Sequence, residues 1–259
     1  LASLDHDKAR LDGAVAHFLE GDIEQATGGL RRALELPGAQ YPIWRFYILG
    51  SLALVRAWTG HCAEALQLAE AALSGARAID VAQHPAVIHA HLAAGLAHLY
   101  RADLQLAAES LDMADLQNLR RPSKVVNLDL HRALAAHLAA ATGDSEGALA
   151  TLHRPAASAI EPPVLAHANR TLHARLLIDA GDLPEARALL GDPHESVDLD
   201  AARVDLALAS GDTDSAADGL RTSHLPVDDL RAAVGRRLRQ AAVLEARGER
   251  TVNSFWLSG

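Results

Sequence analysis

A short pattern, Gly-Asp followed by alanine five residues after the glycine, recurs along the chain and constrains its fold more than any other feature. It reads "GDIEQA" from Gly21, "GHCAEA" from Gly60, "ADLQLA" from Ala102, "GDSEGA" from Gly143, "GDLPEA" from Gly181 and "GDTDSA" from Gly211. Successive copies are 39, 42, 41, 38 and 30 residues apart. A period in this range marks stacked supersecondary repeats, each needing its neighbours to bury both faces. The invariant alanines are Ala26, Ala65, Ala107, Ala148, Ala186 and Ala216.

Each copy sits between two amphipathic runs. Leu165, Ala168, Leu172, Leu176 and Ala180 form one helical stripe before a pair, and Ile23, Ala26, Leu30, Ala33 and Leu34 form one after it. Glycine can close the first helix in the left-handed region. Asp22, Asp103, Asp144, Asp182 and Asp212 can cap the second, with His61 as the exception. The repeated alanine lets the two helices approach closely. The prolines, among them Pro122, Pro155, Pro162, Pro163, Pro193 and Pro226, fall between pairs, and Pro184 falls in a first turn. Aromatic residues make up only 3% of the chain, and its 49% hydrophobic content is dominated by Ala and Leu, which favour helix.

The expected fold is therefore all-α, with helix pairs over about 7–36, 43–78, 86–119, 125–153, 163–190 and 198–222. A last helix is expected over about 227–247, with 1–250 as one repeat domain and 251–259 as a tail that is disordered or not native. "HRPAASAIEPP", from His153, is the best place for a bend.

The repeat also decides how Ser145 is read. Gly143-Asp144-Ser145-Glu146-Gly147 matches G-x-S-x-G, but a nucleophile elbow needs a strand before it. "LAAHLAAAT" before Gly143 is helical, and Ser145 occupies the repeat position held elsewhere by Ile23, Cys62, Leu104, Leu183 and Thr213. No catalytic role is expected for Ser145, nor reactivity for Cys62.

Fourteen histidines raise the question of a metal. His91 and His98 share a face but stand about 10 Å apart along it. His131 and His137, and His167 and His173, align poorly, and no H-E-x-x-H occurs. The carboxylates Asp212, Asp214 and Asp218 lack the alternation of an EF-hand loop. No Walker A or G-x-G-x-x-G sequence is present. No cofactor, metal or catalytic residue is expected.

The net charge of −9 disfavours direct nucleic-acid binding. Arg231, Arg236, Arg237, Arg239, Arg247 and Arg250 make the last helix basic; they read as a solvated face with Glu245 and Glu249. Leu230, Val234, Leu238, Ala241 and Leu244 read as its packing stripe. The single Cys fits a reducing compartment, and no apolar run is long enough for a membrane span, so a cytoplasmic location is expected.

"GDIEQATGGLRRALELPG" resembles the second half of a tetratricopeptide repeat, with its Gly-Asp turn, Ala26, Leu30 and closing Ala33-Leu34-Glu35-Leu36-Pro37. Ala94-Gly95 resembles that family's Leu-Gly pair. Long Ala/Leu/Arg-rich repeats of this type look like the sensor superhelix of the large ATP-binding LuxR-family, maltose-activator-type regulators. The resemblance implies a superhelix of six to seven helix pairs that receives an effector or a protein partner. An array like it also occurs at the C-terminal end of some actinobacterial serine/threonine kinases, where it would act as an adaptor. In a superhelix of this kind the first helices line the inner groove. Counting back from each turn places Tyr47, Trp58, His89, Tyr100, His137, Arg175, Asp179 and Asp205 there.

Overall fold

The computed structural model describes residues 2–120, 125–191, 196–223 and 228–248. The connections holding Pro122, Pro193 and Pro226, and residues 249–259, which include Glu249, Arg250 and the tail 251–259, lie outside the described residues. Among the described residues there are thirteen α-helices and no strand. They run α1 (Ala2–Glu20), α2 (Ile23–Ala33), α3 (Pro42–Trp58), α4 (Cys62–Ala78), α5 (Ile88–Tyr100), α6 (Leu104–Arg120) and α7 (Val125–Ala141). Then follow α8 (Ser145–Leu152), α9 (Pro163–Ala180), α10 (Leu183–Leu190), α11 (Val197–Ala209), α12 (Thr213–Thr222) and α13 (Leu230–Ala246). Short 3-10 turns at Pro37–Gln40 and Pro85–Val87 lead into α3 and α5. None of the described helices is long and apolar enough to cross a membrane.

Six helix–turn–helix pairs follow from one local device. At each junction the residue in the Gly position has positive φ: Gly21 at 88°, Gly60 at 82°, Ala102 at 60°, Gly143 at 85°, Gly181 at 83° and Gly211 at 74°. The N–H of the next residue then reaches back to a carbonyl five residues earlier. These bonds are Asp22 to His17, His61 to Arg56, Asp103 to His98, Asp144 to Ala139, Asp182 to Leu177 and Asp212 to Ala207, all at 2.8–2.9 Å. This is the Schellman closure, which satisfies carbonyls the ending helix leaves open. The same aspartate starts the next helix. Asp22, Asp144, Asp182 and Asp212 each accept a hydrogen bond from the backbone N–H three residues on, at 2.8–3.3 Å. His61 makes no such bond; its ring pairs with the Thr59 hydroxyl at 3.1 Å. Asp103 is held by Arg101 at 3.2 Å. The six repeat alanines have no exposed surface, so each marks the contact line within its pair.

Ala102 tests this account. An L-residue with a Cβ pays about 1–2 kcal/mol in the left-handed region. Ala102→Gly is therefore expected to raise stability by about 1 kcal/mol, read from urea unfolding followed by circular dichroism. A loss of stability would mean that the Ala102 methyl makes a contact outweighing the strain.

The chain divides into two compact units, residues 1–166 and 167–259. The boundary follows the Pro-rich "HRPAASAIEPP". In the first unit α3 packs on α4 and α5, α5 on α6 and α7, and α7 on α8. The Pro-rich segment is tied to α7 by Asp129. Its buried carboxylate accepts from the N–H of Ala157 at 2.7 Å and of Ser158 at 2.9 Å. Burial pushes the Asp129 carboxyl up, but these donors and Arg132 outweigh it and hold it below the usual range.

In the second unit Ala174, Ala186, Leu190, Leu199, Ala202 and Leu206 join α9, α10 and α11 in one core. Val204, Ala216, Leu220 and Val243 join α11, α12 and α13. Two expectations for α13 are corrected here. Leu230, Val234 and Leu238 are 50%, 57% and 66% exposed, Ala241 is exposed too, and Val243 is the residue that packs. Nor are its arginines merely a solvated face. Arg231 grips Asp198 at 2.9 Å, Arg239 grips Asp205 through two 2.7 Å bonds, and Arg247 reaches Asp214 at 2.5 Å. Arg236 donates to the Ser223 carbonyl at 2.9 Å.

Candidate functional site

The first helices of the N-terminal unit are apolar through most of their length: α3 alone buries an almost unbroken run from Ile48 to Trp58. Among the buried polar residues of these helices, three recur at a fixed interval. Ser51 on α3, His89 on α5 and Asn127 on α7 are each 38 residues from the next, and all three are buried. His89 Nδ1 lies 2.8 Å from the Ser51 hydroxyl, and His89 Nε2 lies 2.9 Å from Asn127 Oδ1. With Nε2–H donating to the Asn127 carbonyl oxygen, Nδ1 of a neutral ring is left to accept. The Ser51 proton is then shared between Nδ1 and the Tyr47 carbonyl, 2.8 Å from the hydroxyl. The Tyr47 ring lies 5.2 Å from the imidazole, tilted by 32°.

A serine, a histidine and an orienting third group in hydrogen-bond sequence resemble a nucleophilic triad. The surroundings argue for a different role. Ser51 stands in the middle of a helix, where the neighbouring backbone N–H groups are already committed to the helix ladder. The cavity beside Ser51 and His89 is apolar, walled by Phe18, Leu54, Val55 and Leu130, and has a volume of about 10 Å³. That is about the space of one water, too small for an acyl group. The ladder ties α3, α5 and α7 together and leaves no buried partner of the imidazole unmatched.

The other expected groove residues are placed as follows. Trp58 is buried and meets Phe18 edge-to-face, with centroids 5.5 Å apart, so it joins α3 to α1. Tyr100 is exposed at the end of α5, His137 is half-buried on α7, and Asp179 is exposed near the end of α9. Arg175 lies 3.4 Å from Asp205. Tyr47 and His89 are thus brought together in one compact unit, and Arg175 and Asp205 in the other. Ser145 is exposed and opens α8 directly after a helix and a left-handed glycine.

The residues not singled out from sequence are Ser51 and Asn127, and Arg239 was read there only as part of a solvated face, without its partner Asp205. The signal that could have found them is the spacing itself. Ser51, His89 and Asn127 are polar intrusions one repeat apart, and the Asp–Arg pairs 198–231, 205–239 and 214–247 are 33, 34 and 33 residues apart.

Among the described residues, no three His, Cys, Asp or Glu side chains converge to hold a metal ion. His91 is pushed down to about 4, first by burial and then by the charge of Arg77. The half-buried Cys62 thiol is pushed up by burial, away from the thiolate form that reactivity requires. No family model matches the chain, and no curated protein sequence matches it.

Proposed function

We propose that this chain is a non-catalytic, tetratricopeptide-like sensor or protein-interaction domain of a bacterial regulatory protein, of the kind that receives an effector or a partner. The observation that carries the reading is the sixfold helix pair. Turn, Schellman closure and buried alanine recur at each junction, and a 38-residue polar spacing links α3, α5 and α7. Such arrays present repeated helix faces for recognition. Arg231, Arg239 and Arg247 of the last helix are engaged by aspartates of α11 and α12, which favours a role without direct nucleic-acid contact.

A second reading is a structural adaptor, such as the regulatory C-terminal region of a kinase. The small cavity favours it, because about 10 Å³ among α1, α2, α3, α5 and α7 holds no metabolite. Under this reading recognition uses outer surfaces and a protein partner.

The test is thermal melting of the chain with and without a bacterial extract fraction below about 1 kDa. A ligand at about 100 times its Kd adds about 2.7 kcal/mol, which raises the midpoint by several degrees. A shift supports the sensor, and its absence moves the assignment to the adaptor. Ester hydrolysis that Ser145→Ala or Ser51→Ala abolishes would overturn both.

A further inference from the structure

The N-terminal unit also carries an open groove of about 370 Å³ between α1 and α2. Gly13 and Gly29 form part of its floor, and Arg10, His17, Gln25 and Arg32 line it. The floor is tight on one side and open on the other. A Cβ at Gly29 would lie 2.8 Å from the Ala14 Cβ, whereas a Cβ at Gly13 would meet nothing within 4 Å. The Arg32 guanidinium extends over Gly28, 3.2 Å from where a Cβ there would stand.

Neither Arg10 nor Arg32 forms an ion pair or hydrogen bond with another described residue. Arg31, beside Arg32, is by contrast bound to Glu64 at 3.3 Å. His17 has an acidic neighbour, Asp22, at 3.8 Å, and that carboxylate also caps α2. Both guanidinium groups belong to residues lining one concavity, in a chain of net charge −9. Guanidinium forks match phosphate oxygens, and a phosphate monoester carries about −1.5 to −2 charges, balancing two arginines. The volume exceeds that of a phosphate group and falls within the range of small-molecule sites.

We propose that the groove between α1 and α2 binds a small phosphate monoester, with Arg10 and Arg32 on the phosphate, Gln25 and His17 donating beside it, and the organic group over Gly13. The proposal rests on the effector-binding reading and gives the effector its chemistry. It places the effector on an outer helix pair, apart from the Ser51–His89–Asn127 ladder.

The experiment is a titration of the 15N-labelled chain with glucose 6-phosphate, with inorganic phosphate in parallel and chloride added to constant ionic strength. The expected result is a saturable shift of the Gly13, Gly28 and Gly29 amides, stronger for the ester than for inorganic phosphate. Arg10→Gln combined with Arg32→Gln should weaken binding at least about tenfold. Gly13→Leu fills the groove with a residue that favours helix, so it should abolish binding without lowering the melting point. Equal shifts in the double variant, or none in the parent chain, would overturn the proposal. The low-mass extract fraction separates the two levels. If it still stabilises the double variant, the groove is wrong but the sensor stands; if it stabilises neither form, the sensor reading fails.

Discussion

Gly50→Ala should destabilise the N-terminal unit by about 3 kcal/mol, although alanine is the better helix former by about 1 kcal/mol. Gly50 lies inside α3 where it crosses α5. A Cβ there would stand 2.8 Å from the backbone nitrogen of Ala90 and 3.3 Å from the His89 Cβ. The obstacle is helix backbone, so no side-chain rotation relieves it. Ala90 is fully buried, and shifting α5 outward would pull His89 from both Ser51 and Asn127. The overpacking cost and the stretched buried hydrogen bonds act in the same direction. Gly13→Ala is the control: its Cβ meets open space, so it should be neutral or stabilising by up to about 1 kcal/mol. Tryptophan fluorescence during urea unfolding follows the effect, because Trp44 and Trp58 both lie in this unit. A Gly50→Ala loss below that of an ordinary surface change would show that the α3–α5 crossing is looser than described.

Acidification from pH 7 to pH 4 should remove about 3 kcal/mol from the same unit through His91 alone. Burial of the ring and the nearby Arg77 charge push its pKa down to about 4 from the usual 6.5. As pH falls below 6.5 the unfolded chain takes up the proton first, so the unfolded state gains. The stability is intact at pH 7 and declines down to about pH 4, where the folded ring also protonates. His91→Gln should flatten the stability curve across that window while leaving the rest of the pH response in place. Asp129 acts lower. Its folded pKa lies below the ordinary carboxylate value, so its contribution is present above that value and is lost as pH falls through the folded one. Unfolding free energies of the parent and His91→Gln chains, measured from pH 7 to 4, decide the matter. Parallel curves would mean that His91 titrates normally in the folded state.

Most of the helical architecture was legible because it is local. A glycine that ends one helix and an aspartate that starts the next need only the residues around them, so the junctions at Gly21, Gly143, Gly181 and Gly211 could be read directly. Even Ala102 was found through its neighbours, although nothing in its identity announces a positive φ. The stripe on α13 shows where such reading stops. Periodicity establishes that Leu230, Val234 and Leu238 share a face, but it carries no information about what covers that face. The groove residues met the same barrier. Counting from the turns placed Tyr47 and His89 correctly on the first helices, but burial and hydrogen bonding depend on the opposing helix. Ser51 and Asn127 look unremarkable until set one repeat from His89, and Arg239 acquires a role only beside Asp205.

The Ser51–His89–Asn127 ladder has a consequence for assembly. Helices faced with alanine and leucine are nearly interchangeable, and a chain built from them can dock a helix against the wrong neighbour or slide it by a turn at little loss of apolar contact. A polar rung changes that arithmetic. Any misregistered arrangement strands a hydroxyl, an imidazole or an amide in hydrocarbon, at about 1–3 kcal/mol for each group. The ladder therefore acts as a key for neighbour identity: it distinguishes the correct order of α3, α5 and α7 from shuffled ones that would bury just as much surface. Excision of the repeat between Ser51 and Asn127 would bring a serine against an asparagine with no imidazole to bridge them, so the number of repeats is itself written into the core.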